Sequence, residues 1–204
     1  MPSRNVIKID IEHTFYHVYA RGHGKKNVFL DDEDYRVFLN LFKRYLCNDG
    51  QKDNRGRPYK SLNKMIDLNC YCLMPNHIHL LLYQIDSGAM SKLMHNILSS
   101  YSTYFNNKYE LSGSIFESRY KASIVSNESY LIYISSYIHR NPKDWLDYNY
   151  SSLSYYLRNQ SPDWLKPKII LDMFSSSGEY YNFLSENAKY KESFDNILRE
   201  LANS

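Results

Sequence analysis

Two histidines one residue apart, His77-Ile78-His79, lie in a run that otherwise has the composition of a buried strand, Leu80-Leu81-Leu82-Tyr83. Strand side chains alternate between faces, so His77 and His79 point the same way, about 6.6 Å apart along the chain. Two neutral imidazoles on one face suit joint ligation of a cation. Taken singly, each is equally a hydrogen-bonded core histidine, although two adjacent buried rings then both need polar partners. A second pair stands further along: Tyr137 and Asn141, four residues apart and so stacked on one face if the segment is helical. A phenol is a weak nucleophile unless its target is polarised, and a metal bound to a phosphate does that. The Asn141 amide oxygen, one turn away, would complete a His-His-Asn ligand set. With 21 tyrosines in the chain, composition alone favours an ordinary half-buried side chain at position 137.

The elements that must carry these groups follow from periodicity. Residues 11–21 alternate Phe15, His17 and Tyr19 with Tyr16 and Val18, which predicts a strand. It leads into Arg21-Gly22-His23-Gly24-Lys25-Lys26, a basic loop that suits either a solvated turn or a phosphate contact. Asp31 to Asp34 open a helix, acids being favoured at its N-terminus, and Tyr35, Phe38, Leu39, Phe42, Tyr45 and Leu46 give it one apolar stripe. Residues 48–64 are polar and basic with Gly and Pro, hence a loop. Met65 to Leu73 is the next strand. It turns at Met74-Pro75-Asn76 into the histidine strand. Met90 to Phe105 carries a second helical stripe, ending near Lys108. Residues 113–125 read as a fourth strand, with Arg119 and Lys121 on one face. Ser126 or Asn127 caps a third helix that runs past Tyr137 to Asn141, where Pro142 ends it. Strand, helix, strand, strand, helix, strand is the ferredoxin-like order, βαββαβ: an α+β fold whose helices cover one face of an antiparallel sheet. His77 and His79 would then lie on the opposite, open face. Residues 1–142 form the main domain and 143–204 a small helical extension packed on it, with a helix near Glu179 to Asn187.

At 204 residues with 43% hydrophobic content, the chain is long enough for one full core, and no window approaches the ~20 apolar residues of a membrane span. The first 15 residues hold no signal-peptide-like run, and three cysteines, two as Cys70-Tyr71-Cys72, do not make a disulfide framework. A cytoplasmic setting follows. The net charge of +3 is unevenly spread. From Asp172 onward there are three basic and six acidic residues, which leaves residues 1–171 at +6 and marks them as the anion-binding body.

Four stretches resemble the REP-associated tyrosine transposases, a group within the HUH single-tyrosine (IS200-like) transposases. They are YHVYARGHGKKNVFLDDEDYRVFL (Tyr16 to Leu39), YCLMPNHIHLLL (Tyr71 to Leu82), GSIFESRYKASIV (Gly113 to Val125) and YLIYISSYIHRNP (Tyr130 to Pro142). Together, in order, they span most of residues 13–142, and YNYSSLSYYL (Tyr148 to Leu157) is similar to the short extension of that group. The resemblance implies that His77 and His79 are the metal-binding pair, that Tyr137 is the nucleophile and that Asn141 is the third ligand. The cofactor would be Mg²⁺ or Mn²⁺, and the substrate single-stranded DNA near hairpin repeats, cut through a 5′-phosphotyrosine link, in association with the nucleoid. Arg21, Lys25, Lys26, Arg119 and Lys121 would contact DNA phosphates, and a homodimer is allowed. The 48–64 loop is longer than the resemblance leads one to expect, and Lys-Asp-Trp after Pro142 departs from the commoner Val-Arg-Ala.

Two rivals remain on sequence grounds. One is a DNA-binding regulator that keeps the fold without cutting. The other is a structural zinc site of Cys70, Cys72, His77 and His79, which depends on hairpin register. A three-residue turn pairs Cys72 with Ile78 and turns the cysteines away from the histidines, whereas a two-residue turn pairs Cys72 with His79. Pro-Asn suits a type II turn, which fits two-residue hairpins poorly, so the three-residue register is expected.

Overall fold

The computed structural model describes residues 10–47, 52 and 55–187; the ends of the chain and most of the first half of the 48–64 loop lie outside these. Four strands, β1 (Thr14–Arg21), β2 (Ile66–Met74), β3 (His77–Gln84) and β4 (Lys121–Val125), form one antiparallel sheet in the order β2-β3-β1-β4. With α1 (Asp32–Leu46) after β1 and α2 (Ala89–Lys108) after β3, this is the ferredoxin-like arrangement the sequence predicts. None of the helices among the described residues is long and apolar enough to cross a membrane.

Each face of the sheet has its own core. Tyr16, Val18, Ala20, Leu68, Tyr71, Leu73, Ile78, Leu80 and Leu82 pack against the apolar stripes of α1 and α2. Helix α1 starts where expected: Asp31 accepts from the Asp34 N–H while the Asp34 carboxylate reaches back to the Asp31 N–H, a reciprocal cap. The opposite face is less open than the sequence suggests. Cys70, Cys72, Leu81 and Val125 are roofed by Leu131, Ile134 and Ile138 of α3 (Glu128–His139) and by Leu153, Tyr156, Ile170, Tyr180 and Leu184 of the extension. The extension consists of α4 (Leu153–Arg158), α5 (Lys168–Leu171) and α6 (Ser177–Asn187). It also covers the β2 edge: the Leu73 N–H donates to the Tyr150 carbonyl, the Ser152 N–H to that of Tyr71 and the Lys166 N–H to that of Leu68, so the unpaired strand groups are satisfied.

Three expectations are corrected. The hairpin has the two-residue register, with Met74 paired to His77 and Cys72 to His79. Asn76 is not among the residues with positive φ, so the turn is not type II. It is held from outside: the Val28 and Phe29 N–H groups donate to the Pro75 carbonyl and that of Gly22 donates to Asn76. Gly22 itself tolerates no Cβ, which would meet the Lys26 carbonyl oxygen of its own loop. The fourth strand is shorter than 113–125; only Lys121–Val125 pairs with β1, and before it the chain touches β1's end through a single Gly22–Phe116 bridge. Lastly, α3 stops at His139, so Asn141 lies just beyond the helix. Pro142 disfavours helical φ/ψ at the residue before it.

Candidate active site

Strand register brings the chemistry together. Arg21 lies across from His77, Tyr19 from His79, and His17 one pair further along β1, so period two puts Phe15, His17, Tyr19 and Arg21 on the imidazole face. The His77 and His79 rings are 5.0 Å apart and perpendicular. Helix α3 lies over this end of the sheet. The Tyr137 ring meets His79 edge-on at 5.4 Å and His17 at 5.8 Å. Asn141 Oδ1 comes within 3.2 Å of His77 Nε2. All four sequence-singled residues of the imidazole–phenol set therefore meet at one place.

The hydrogen bonds fix which ring nitrogens are available. Asn76 Nδ2 donates to the Lys25 carbonyl, which turns its Oδ1 to His77 Nδ1 at 2.6 Å. Nδ1 must therefore carry the His77 proton, leaving Nε2 a bare acceptor opposite another acceptor, the Asn141 oxygen. Two lone pairs facing at 3.2 Å are an arrangement that a shared cation or a proton would bridge. A proton is disfavoured: burial lowers the His77 pKa, Asn141 only partly restores it, and the Arg21 charge lowers it further. An octahedral divalent ion with ligands at about 2.1 Å separates adjacent ligand atoms by about 3.0 Å, so this pair fits one edge of its coordination shell. His79 Nδ1 sits 3.0 Å from His17 Nε2. If His79 donates this bond, its Nε2 is left as a lone pair, the outer-partner arrangement typical of metal-ligating histidines. Burial holds His79 well below the usual histidine range, helped by His17, His77 and Arg21, and lowers His17 to about 4. Among the described residues no three His, Cys, Asp or Glu side chains are arranged to hold a metal, so the candidate set is two imidazoles and an amide.

The basic residues separate. Arg21 and Lys121 flank the Tyr19 ring at 5.9 and 5.6 Å, and Tyr19 stacks on His79 at 5.8 Å. The Arg21 Nε is buried without a hydrogen-bond partner. Lys25 and Lys26 are exposed beside the Asn76 turn, at the same end of the sheet. Arg119 does not share a strand face with Lys121. It belongs to the loop before β4 and lines a 540 Å³ cavity with Ser91, Met94, His95 and Leu98 of α2.

His17 and Tyr19 were missed as site residues. The alternation of 11–21 put them on one face, but nothing local said that β1 would be the neighbour of β3. The corrected register does place both cysteines on the histidine face, as the zinc rival needs. Their surroundings oppose it: Cys70 and Cys72 are fully buried among apolar side chains, the Cys72 thiol points to Met74 Sδ at 3.7 Å, and burial pushes both thiols up, away from the thiolate that zinc requires.

Comparison with known proteins finds a family match and a fold match. Residues 59–141 match the model of the family described as "Transposase IS200 like". A solved structure of a REP-associated tyrosine transposase bound to a REP hairpin is similar in fold, with a TM-score of 0.55 and 16% identity over 78% of this chain and 89% of that one. No curated protein matches the chain. The stretch that carries the histidine pair, the tyrosine helix and the asparagine thus matches the IS200-like transposase model, and the chain as a whole is similar in fold to a REP-associated tyrosine transposase.

Proposed function

We propose that the protein is a metal-dependent transposase that binds hairpin-bearing single-stranded DNA and cuts and rejoins it through Tyr137, acting at the nucleoid in the cytoplasm. The observation that carries this reading is the convergence of the Tyr137 ring on His79 and His17 beside the opposed His77 Nε2 and Asn141 Oδ1. The family match and the hairpin bound to the solved structure agree with it.

His77, His79 and Asn141 would hold Mg²⁺ or Mn²⁺, which when bound supplies polarisation of a phosphate oxygen. The protein's own groups do the rest. The imidazoles pack edge-on against the Tyr137 ring, which would hold the phenol beside the histidines before DNA arrives. The phenol gives its proton to solvent water, which supplies one to the leaving 3′ oxygen, and attacks the scissile phosphorus. A phosphorus–oxygen bond forms to tyrosine, the bond to the 3′ oxygen breaks, and that oxygen leaves as a protonated hydroxyl. The same hydroxyl attacks the 5′-phosphotyrosine in the reverse step, so rejoining needs no outside energy. Arg21 and Lys121 offer positive charge beside Tyr19, where a phosphate next to the histidines would lie. Lys25 and Lys26 extend that charge along the flanking strand.

The test is incubation of the protein with hairpin-bearing single strands and Mn²⁺. A covalent protein–DNA adduct is expected in the wild type and absent in Tyr137→Phe. An adduct of equal yield in that variant would move the nucleophile elsewhere, and none in the wild type would leave a binding protein.

A further inference from the structure

Two residues beyond Tyr137, His139 is fully buried and hydrogen-bonded at both ring nitrogens, to Tyr180 Oη of α6 at 2.7 Å and to Ser152 Oγ at the start of α4 at 2.7 Å. We infer that His139 is a positioning residue that sets the roll of α3, and so the aim of Tyr137, by tying the far side of that helix to the C-terminal extension and to β2. This rests on the reading of Tyr137 as the nucleophile.

The hydrogen bonds form one chain. In one sense, Ser135 donates to the Ile132 carbonyl, so its oxygen receives the Tyr180 hydroxyl at 3.2 Å. With its own proton committed, Tyr180 Oη accepts from His139 Nδ1–H. His139 Nε2 is then the acceptor, and the Ser152 hydroxyl donates to it. Ser152 Oγ in turn accepts the Tyr71 N–H at 2.9 Å, while the Ser152 N–H donates to the Tyr71 carbonyl at 3.0 Å. The Ser152 hydroxyl also reaches the Tyr71 carbonyl at 3.2 Å, so the chain has a second sense in which each link runs in reverse; in both, a neutral His139 has both ring nitrogens paired. Such a network is directional where an apolar residue would only fill space.

Its place on the helix gives that direction a use. Residues two apart on a helix project about 200° apart, so Tyr137 reaches toward the β1 and β3 imidazoles while His139 reaches toward β2, α4 and α6. The helix is gripped from both sides. A roll of ~10° moves a phenol oxygen by about 1.5 Å, given the helix radius and side-chain length, and a 1 Å misplacement costs up to ~10²-fold in rate.

The experiment compares Tyr180→Phe and His139→Leu with Leu184→Ala, a buried α6 residue outside the network. Adduct formation on hairpin-bearing single-stranded DNA with Mn²⁺ is timed against DNA concentration, well below the Tm of each variant. Nuclear Overhauser contacts between the Tyr137 and His79 rings are recorded without DNA or metal. The two network variants are expected to lose about tenfold or more in maximal rate at unchanged half-saturating DNA, and to lose the ring contacts. Leu184→Ala keeps both despite its lower Tm. Rates that simply follow Tm across all three variants, or ring contacts unchanged in Tyr180→Phe and His139→Leu, would overturn the inference. A wild type that makes no adduct defeats the nucleophile reading instead, and the ring contacts alone then decide whether His139 orients the helix.

Discussion

Two buried polar clusters in this protein are built on opposite terms. At the N-terminus of α1, the buried Asp34 carboxylate accepts from Leu30 N–H at 2.7 Å, Tyr109 Oη at 2.9 Å, Tyr104 Oη at 2.9 Å and Lys108 Nζ at 2.9 Å. Asp31 and Glu33 surround the same ammonium. Every lone pair there has a donor. At the imidazole site, His77 Nε2 faces an amide oxygen and the Arg21 Nε has no partner. The first cluster is complete without a ligand and stabilises the fold. The second has acceptors aimed at each other and cationic groups at its edge, an arrangement suited to the cation and phosphate of the proposed reaction.

That contrast is open to direct attack. The largest effect expected is on chemistry: Tyr137→Phe should remove the DNA adduct altogether while leaving circular dichroism and Tm as in the wild type. Removing one partner from each cluster should separate them on stability. Asp34→Ala is expected to cost about 3 kcal/mol by stranding Lys108, Tyr104 and Tyr109, whereas His77→Ala should cost about 1 kcal/mol or less, both read by urea unfolding. Adding Mn²⁺ should then reverse the order. At a hundredfold excess over its dissociation constant it should stabilise the wild type by about 2.7 kcal/mol, with no shift in His77→Ala and an undiminished shift in Asp34→Asn. His17→Phe keeps a ring but loses the bond to His79, and calorimetry should find Mn²⁺ affinity about 10- to 100-fold weaker.

The smallest effect is on pH dependence. Burial holds the folded His17 pKa at about 4, below the ordinary ~6.5 of an unfolded chain. The unfolded state therefore takes up a proton that the folded state refuses, and stability is lost as pH falls from 6.5 toward 4. Burial would raise the Asp34 pKa, but the Leu30 N–H, Lys108 and the two tyrosines outweigh it and lower the value. Its contribution is full above the ordinary carboxylate range and fades only below that. In metal-free buffer the Tm should decline through pH 6.5 to 4, less steeply in His17→Phe, and unchanged in slope in Asp34→Asn.

Much of this was legible beforehand. The apolar stripes of α1 and α2, the Asp31–Asp34 start and the βαββαβ order are local patterns with periods of 3.6 and 2, and they emerged as read. So did the shared face of His77 and His79. The failures have one source. Residues 113–120 have strand composition but meet β1 only at its very end, through the Gly22–Phe116 bridge and the Glu117 N–H to Arg21 carbonyl bond. Pro75-Asn76 closes a two-residue hairpin because Val28, Phe29 and Gly22 hold its carbonyls.

The sequence by itself determined which side chains share a face of each element, because alternation and helical pitch belong to the backbone. Tertiary structure decided what faces what. Pairing β1 beside β3 set His17 against His79 and Arg21 opposite His77, and folding α3 under the extension carried Tyr137 and Asn141 to the same spot. Those outcomes depend on hydrogen bonds and apolar contacts between segments some 60 or more residues apart, and no local propensity encodes such a distance.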